Sequence, residues 1–273
     1  MSARGLAALV AAELGALARR RWVGGVVAAG LAVAVAVAAL AASESGQARD
    51  DDFRAGAASL LLLGGLVMAV GLGSAALNRE ADSGHLGLLA AAGPGRATLA
   101  GAAIAARAAA LVATLAVWGA AVQVGSLALG RGLDGPLAVH TAAGAENMLL
   151  TLLAAAAVSS VVGPVSSSLV GLAVYVLAQA VVNLEAAADQ GLIGTSEAGV
   201  RAAYLVLPRL VVSPMIFLLQ AREEAGPAAP PVEINGTTVF VPASAWATVA
   251  WTLCWCAGIA AVAAVGLRRR TLA

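Results

Sequence analysis

Few side chains in this chain of 273 residues are suited to catalysis or metal binding. Its two histidines, His85 and His140, are far apart, and neither has a second histidine at the spacing of a zinc site. The serine run 166–168 could supply a nucleophile, but no histidine is expected on the same helix face. Cys254 and Cys256 could bind a soft metal, although helical residues two apart point to different faces. The pattern favours packing and capping roles, and no metal site is predicted.

The chain also lacks the pattern of a nucleotide-binding protein. A phosphate-binding loop needs closely spaced glycines that end in Lys-Ser or Lys-Thr, and all 16 basic residues of this chain are arginines. The net charge is only +1, and no basic run is interleaved with aromatic residues, so no nucleic-acid partner is expected. We predict no cofactor in this chain, and any ATP that drives it must be bound by a partner.

The elements that position these residues are membrane spans. Hydrophobic residues make up 61% of the chain and charged residues 11%, and the mean hydropathy is +0.91, which is typical of an integral membrane protein. A span needs about 20 apolar residues, and the sequence predicts an all-α fold with six spans, near residues 23–42, 57–77, 100–129, 146–163, 165–186 and 243–267. The first span could instead be a signal peptide, but its uncharged stretch exceeds the roughly 7 to 15 residues of a signal core.

One short polar stretch between the second and third spans carries most of the information. This polar segment, residues 78–96, reads NREADSGHLGLLAAAGPGR. An acidic cluster at 80–83 favours a helix start, three leucines follow, and Gly93-Pro94-Gly95 ends the pattern. The signals predict a helix over residues 80–93. It is either a rigid handle for another protein or an ordinary amphipathic helix on the inner leaflet.

The arginines sort the loops between two sides of the membrane. With the N-terminus inside, six spans place ten arginines against three acidic residues on the inner side, a net charge of +7. The outer side then carries six arginines against twelve acidic residues, a net charge of −6. Cytoplasmic loops are enriched in arginine and lysine, so both termini and the polar segment are predicted to be cytoplasmic.

Three further elements are predicted outside or between the spans. Residues 3–20 repeat apolar positions at helical spacing and end in arginines, which is typical of an interfacial helix. Only Gly163-Pro164 and a serine run separate the fourth and fifth spans, so these spans should form a tight hairpin. The outer region 187–242 contains an apolar stretch broken by prolines, 202–220, which we interpret as re-entrant or interfacial. Within the same region, Asn235-Gly236 predicts a β-hairpin.

Polar residues inside spans are costly and often functional. Arg107, at the inner end of the third span, is predicted to extend its guanidinium to the interface. Five other residues are candidates to line a pathway or its outer gate, with hydrogen bonding between helices as the alternative role: Gln123, Glu146, Gln179, Asn183 and Glu185.

The order of these elements resembles that of the permeases of type-2 ABC exporters. In that family the loop after the second span reads like an acid followed by x-x-x-G-T-L-E-L-L-x-x-x-P-x-x-R, and a Gly-Lys pair opens the third span. The positions that match are Glu80, Gly84, Leu88, Leu89, Pro94, Arg96 and Gly101. The chain departs from the pattern at His85, Gly87 and Ala102.

The resemblance implies that the polar segment is a coupling helix, which docks into a cleft of a separate ATP-binding subunit. The docking residues implied are Glu80, Asp82, Gly84, His85, Leu86, Leu88, Leu89, Pro94 and Arg96. Two copies of the chain would pair with two ATPase subunits in the bacterial cytoplasmic membrane, with ATP and Mg bound by the partner. The chain is then not itself an enzyme, and region 187–242 is a candidate surface for an outer partner. A membrane scaffold and an intramembrane enzyme, both without ATP coupling, are the alternatives.

Overall fold

A computed structural model describes residues 3–77, 96–159, 161–189, 197–210 and 243–269 of the chain. Every regular element in these ranges is helical. The helices are α1 Ala3–Ala18, α2 Arg21–Ser43, α3 Gly46–Ser59, a π-helical turn Leu60–Gly64, α4 Gly65–Ser74, α5 Arg96–Ala128, α6 Gly135–Ser159, α7 Pro164–Asp189, α8 Glu197–Val206 and α9 Ala243–Arg269.

Five helical stretches are long and apolar enough to cross a membrane: Arg21–Ser43, Ala48–Ser74, Thr98–Ala128, Gly135–Ser159 and Pro164–Val181. The sequence prediction of a helical, multi-pass membrane protein is confirmed to this extent. The sixth predicted span falls on α9, a continuous helix of 27 residues that contains the apolar stretch Val249–Ala263. The sixth crossing stays a prediction.

Two spans begin earlier than their apolar composition indicated. The second span was expected from residue 57, whereas helix α3 starts at Gly46 and includes the charged residue Asp50 near its start. The fourth was expected from residue 146, whereas α6 starts at Gly135. A helix can extend beyond the hydrocarbon layer into polar surroundings, so the apolar window marks the membrane depth of a helix and not its ends.

Helix α6 lies at the centre of the bundle and packs against α4, α5, α7 and α9. The largest buried cluster joins α4, α5 and α6 through side chains such as Leu72, Leu115 and Met148. Helix α1 packs mainly against α5 and buries Leu17 in the same cluster. The helix predicted at the interface is thus attached to the bundle by its apolar face.

The indole ring of Trp118 fills a slot between α2 and the π-helical turn. A Cβ atom placed on Gly30 would lie 2.2 Å from Cε2 of Trp118, and one placed on Gly64 would lie 2.7 Å from Cζ3. The indole Nε1 donates a hydrogen bond of 3.1 Å to the carbonyl oxygen of Val27. Only glycine at both positions admits the ring, so these contacts fix the spacing of α2, α3–α4 and α5.

Helices α6 and α7 form the tight hairpin predicted at Gly163-Pro164. Helix α6 ends at Ser159 and α7 begins at Pro164, and the two helices pack side by side. A Cβ atom on Gly171 would lie 2.9 Å from the Cβ atom of Ala155. The glycine therefore permits the close approach of the two spans, as small residues do at helix interfaces in membranes.

The chain after α8 enters the bundle. Leu210 is 3% exposed and packs with Leu150, Ala178 and Cys256, which lie near the middle of α6, α7 and α9. Thr252 donates a hydrogen bond of 3.0 Å to the carbonyl oxygen of Arg209, which holds this stretch against α9. The predicted β-hairpin at Asn235-Gly236, and most of the predicted re-entrant stretch, lie outside the described residues.

Candidate functional site

The structure describes the two ends to which the polar segment is attached. Residues 78–95 lie outside the described ranges, and with them eight of the nine implied docking residues: Glu80, Asp82, Gly84, His85, Leu86, Leu88, Leu89 and Pro94. The ninth, Arg96, is the first residue of α5. The docking surface thus stays a prediction. The candidate site is therefore the mount of the polar segment, meaning the residues that attach its two ends to the helix bundle.

The first end of the mount is held by Arg107, on α5. Its Nη2 donates a hydrogen bond of 3.4 Å to the carbonyl oxygen of Ala75, the residue that ends α4. Its Nη1 donates a bond of 2.9 Å to the carbonyl oxygen of Ala103, one turn earlier on α5. The carbonyls at the C-terminal end of a helix lack partners within the helix and carry partial negative charge, which a guanidinium satisfies. Arg107 therefore caps α4 from a neighbouring span.

This placement corrects the sequence prediction for Arg107. The side chain was expected to reach the membrane interface, but it is 0% exposed. The expectation was wrong because the polar partner of the guanidinium lies inside the bundle, at the end of α4. A pattern of residues along one helix does not reveal a carbonyl supplied by another.

A second side chain, Ser159, holds the residue just before the polar segment. The backbone N–H of Leu77 donates a hydrogen bond of 3.3 Å to the Ser159 hydroxyl oxygen, and this hydroxyl donates a bond of 2.8 Å to the carbonyl oxygen of Ala156. Ser159 is fully buried at the end of α6. The start of the polar segment is thus tied to α6 as well as to α5. Sequence reasoning missed Ser159, although a serine at the end of a span, just before a turn, is a common capping signal.

Apolar contacts complete the mount. Ala76, Leu77, Ala100 and Ala156 form a buried cluster, with Ile104 packed against it. These residues come from the end of α4, the start of α5 and the end of α6. The residues on both sides of the polar segment therefore join a single packed body with the end of α6.

At the other end of α5, a polar loop cluster of Asp50, Arg54, Arg131 and Asp134 joins α3 to the α5–α6 loop. The Asp134 carboxylate accepts hydrogen bonds from Arg54 Nε at 2.8 Å and from Arg131 Nη2 at 3.3 Å. Arg131 also lies 3.1 Å from the Asp50 carboxylate. Burial and the neighbouring Arg54 lower the pKa of Arg131, whereas the two aspartates raise it. The cluster fixes the loop against α3.

Asp134 also starts α6. Its Oδ1 accepts a hydrogen bond of 3.1 Å from the backbone N–H of Leu137, in the geometry of a helix N-cap. Gln123, a predicted pathway residue, exchanges two hydrogen bonds with the Asp134 backbone, of 2.8 and 2.9 Å. The Gln123 amide is therefore engaged in holding the loop. Sequence reasoning missed Asp134, although Asp followed by Gly-Pro is a helix-start signal.

Glu146, another predicted pathway residue, lies on α6. It is partly buried, and its buried Oε1 has no hydrogen-bond donor within the described ranges. A carboxyl group at this depth is costly in a membrane, which keeps Glu146 as a candidate for the transport pathway.

The other predicted pathway residues lie on α7. Gln179 is partly buried, and Asn183 and Glu185 belong to the same helix near its C-terminal end. Gln123 lies on α5, and its amide is bonded to the α5–α6 loop. The role of these residues in a pathway stays a prediction.

The residues considered for catalysis are dispersed. His140 is 4% exposed on α6, while the Ser167 hydroxyl, at the start of α7, donates to the carbonyl oxygen of Gly163 at 3.0 Å. Cys254 is exposed and Cys256 is buried, so the two thiols lie on different faces of α9 as the sequence predicted. Within the described ranges, no group of three His, Cys, Asp or Glu residues could hold a metal ion.

An apolar groove of about 570 Å³ lies between α6, α7 and α9. Its walls include the small residues Ala154 and Ala157 on α6, and Trp251, Trp255 and Gly258, which share one face of α9. The groove offers almost no polar surface, so it suits hydrocarbon and not a charged or hydrogen-bonding ligand.

Comparison with known proteins adds no family assignment. No protein-family model and no curated protein matches the sequence.

Proposed function

We propose that the chain is the membrane-spanning permease subunit of an ATP-driven ABC exporter, and that it couples to a separate ATP-binding subunit through the polar segment, residues 78–96. The observation that carries the proposal is the mount: Arg107 and Ser159 tie the start of the segment to α5 and α6 by buried hydrogen bonds. The sequence pattern of the segment and the charge asymmetry of the loops support it further.

The mount has the mechanical property that a coupling element requires. A helical handle transmits force only if its attachments do not yield first, and unpaired helix ends are the parts of a helix that open most easily. Here a side chain of α5 caps the end of α4, and a side chain of α6 accepts a hydrogen bond from Leu77, the residue before the polar segment. A displacement of the handle would therefore move α4, α5 and α6 together.

In this proposal two copies of the chain form the translocation unit and two ATPase subunits bind beneath it. Each chain crosses the cytoplasmic membrane six times, with α9 as the sixth span and both termini inside. The partner holds ATP and Mg, and closure of the ATPase pair displaces the polar segment and opens the two halves in alternation. Glu146 and Gln179 are candidates to line the route, and region 187–242 would face an outer partner.

Affinity purification of the full chain from its native membrane tests the proposal. The wild-type chain should retain an ATPase subunit, and the double substitution Leu86→Asp, Leu89→Asp should lose it, because two carboxylates would enter an apolar cleft. Leu6→Asp is the matched control: Leu6 is 42% exposed on α1, on the same predicted side of the membrane but outside the polar segment. Retention of the ATPase by the double variant would refute the docking role.

Two other outcomes would replace the proposal. If the purified chain alone cleaved a membrane substrate, the intramembrane enzyme would be correct. If the chain held other proteins together without any ATP-dependent change, it would be a scaffold.

A further inference from the structure

Arg107 is a charged residue where a charge is expensive. It lies on a helix suited to span a membrane, its side chain is 0% exposed, and the partners of its guanidinium include two backbone carbonyls. Burying a cation costs several kcal/mol unless its surroundings compensate it. In membrane spans such residues mark functional positions.

The two carbonyls belong to different helices. Ala103 lies on α5 itself, one turn before Arg107, whereas Ala75 ends α4 and is followed after two residues by the polar segment. The guanidinium is planar and presents several donors in a fixed fork, so one side chain bridges both carbonyls. The bridge spans the polar segment, because the segment leaves α4 just after Ala75 and returns to the start of α5.

We infer that Arg107 is a positioning residue for coupling: it holds the C-terminal end of α4 to α5 so that movement of the polar segment reaches the spans. The inference rests on the proposed function. Without the bridge, the residues after Ser74 would open locally and absorb the displacement. Binding of the ATPase would then persist, since the docking residues are untouched, but its closure would no longer move the bundle.

A positioning role for Arg107 separates the affinity for the ATPase from the ATP-driven movement, and a purely structural role does not. Loss of a merely stabilising contact lowers the amount of folded chain and leaves each folded molecule fully coupled. Loss of a positioning contact leaves the affinity for the ATPase unchanged and weakens only the ATP-driven movement. Substitutions along coupling routes alter coupling by 0.5–2 kcal/mol, which is about two- to thirtyfold.

The test uses the full chain reconstituted with its ATPase subunit in lipid nanodiscs. Arg107→Met removes the donors, and Arg107→Lys keeps the charge but replaces the planar fork by a single ammonium. Thr114→Val is the matched control, because Thr114 is also buried on α5 and its hydroxyl donates to the carbonyl oxygen of Ala110 on the same helix. The readouts are the dissociation constant of the ATPase and the ATP-dependent change in distance between spin labels at Leu133 of the two copies.

For both Arg107 variants we expect a dissociation constant of the ATPase within about threefold of the wild-type value. The ATP-dependent distance change should be about tenfold smaller than in the wild type. Thr114→Val should retain both. Equal ATP-dependent changes in wild type and in the folded Arg107→Lys variant would overturn the inference, and that variant decides the matter if Arg107→Met does not fold.

Amide hydrogen exchange on the chain alone distinguishes failure of the inference about Arg107 from failure of the proposed function. Exchange at Ala76 and Leu77 should rise about tenfold in Arg107→Lys while Leu115 stays protected. If the wild-type chain binds no ATPase, the proposed function fails. The exchange data still report whether the Arg107 bridge holds the end of α4 to α5. If the wild-type chain is coupled and exchange at Ala76 is unchanged in Arg107→Lys, only the inference fails.

Discussion

The slot that holds Trp118 allows a sharp test of the helix arrangement. Substitution Gly30→Ala would place a Cβ atom 2.2 Å from Cε2 and 2.3 Å from Nε1 of the indole. Carbon atoms in contact are normally separated by about 3.5–4.0 Å, so the ring must move by more than 1 Å. It cannot move freely, because Gly64 bounds the slot on its other side and Nε1 is bonded to Val27.

The effect of Gly30→Ala on the free energy of unfolding follows from these contacts. Overpacking of a core costs about 1–3 kcal/mol, and loss of the indole hydrogen bond adds about 1 kcal/mol. Alanine recovers up to about 1 kcal/mol through its higher helix propensity. We expect Gly30→Ala to lower the free energy of unfolding by about 1–3 kcal/mol. Gly25→Ala, on the same helix with nothing within 4 Å of its Cβ position, should be neutral or slightly stabilising.

Thermal unfolding in detergent micelles measures the difference. In a Cys254→Ser background, the buried thiol of Cys256 reacts with a fluorogenic maleimide only as the bundle opens. A destabilisation of about 2 kcal/mol corresponds to a fall in Tm of roughly 4–8 °C for a chain of this size, and Trp118→Phe should restore part of the loss in the double variant. Equal Tm values for Gly30→Ala and Gly25→Ala would refute the packing of Trp118 described here.

Two further predictions concern the loop cluster and the cysteines. Asp134→Ala should destabilise the chain by about 2 kcal/mol, because it removes the cap of α6 and one of the two carboxylates paired with Arg131, the other being that of Asp50. Asp134→Asn should cost about 1 kcal/mol less, because the amide oxygen of asparagine still caps α6. Asp52 is exposed, so Asp52→Asn should leave the stability unchanged. Equal Tm values for Asp134→Ala and Asp52→Asn would contradict this prediction. In micelles, N-ethylmaleimide should modify Cys254 about tenfold faster than Cys256, because only Cys254 is exposed. Mass spectrometry of cysteine peptides measures both rates, and equal rates would show that α9 is rotated.

The apolar spans were the most predictable part of the fold. The ends of the first predicted span, 23–42, and of the third, 100–129, lie one to four residues from the ends of α2 and α5. The α6–α7 hairpin followed from Gly163-Pro164 alone. Hydrocarbon requires about 20 apolar residues per helix, so composition marks the depth of each span reliably.

Helix ends were less predictable because local capping decides them. The start of α6 at Gly135 depends on the carboxylate of Asp134, which is a local signal present in the sequence but outside the apolar window. The π-helical turn Leu60–Gly64 had no such signal, since five apolar residues fit an α-helix equally well.

The candidate site was partly visible in the sequence. Start and stop signals located the polar segment, but its mount depends on side chains that are distant along the chain. Ser159 lies 82 residues after Leu77, and Arg107 lies 32 residues after Ala75. Only the packing of α4, α5 and α6 brings these groups together, and periodicity along one helix carries no such information.

The most direct test of the central claim is contact between the polar segment and an ATPase in the intact membrane. A photoreactive amino acid at Leu89 should form an adduct with an ATPase subunit on illumination of living cells, whereas the same amino acid at the exposed Leu6 should not. A Leu89 adduct that contains an ATPase chain is the predicted result. Adducts at Leu89 with lipid alone, in cells where the same ATPase is expressed, would contradict the account.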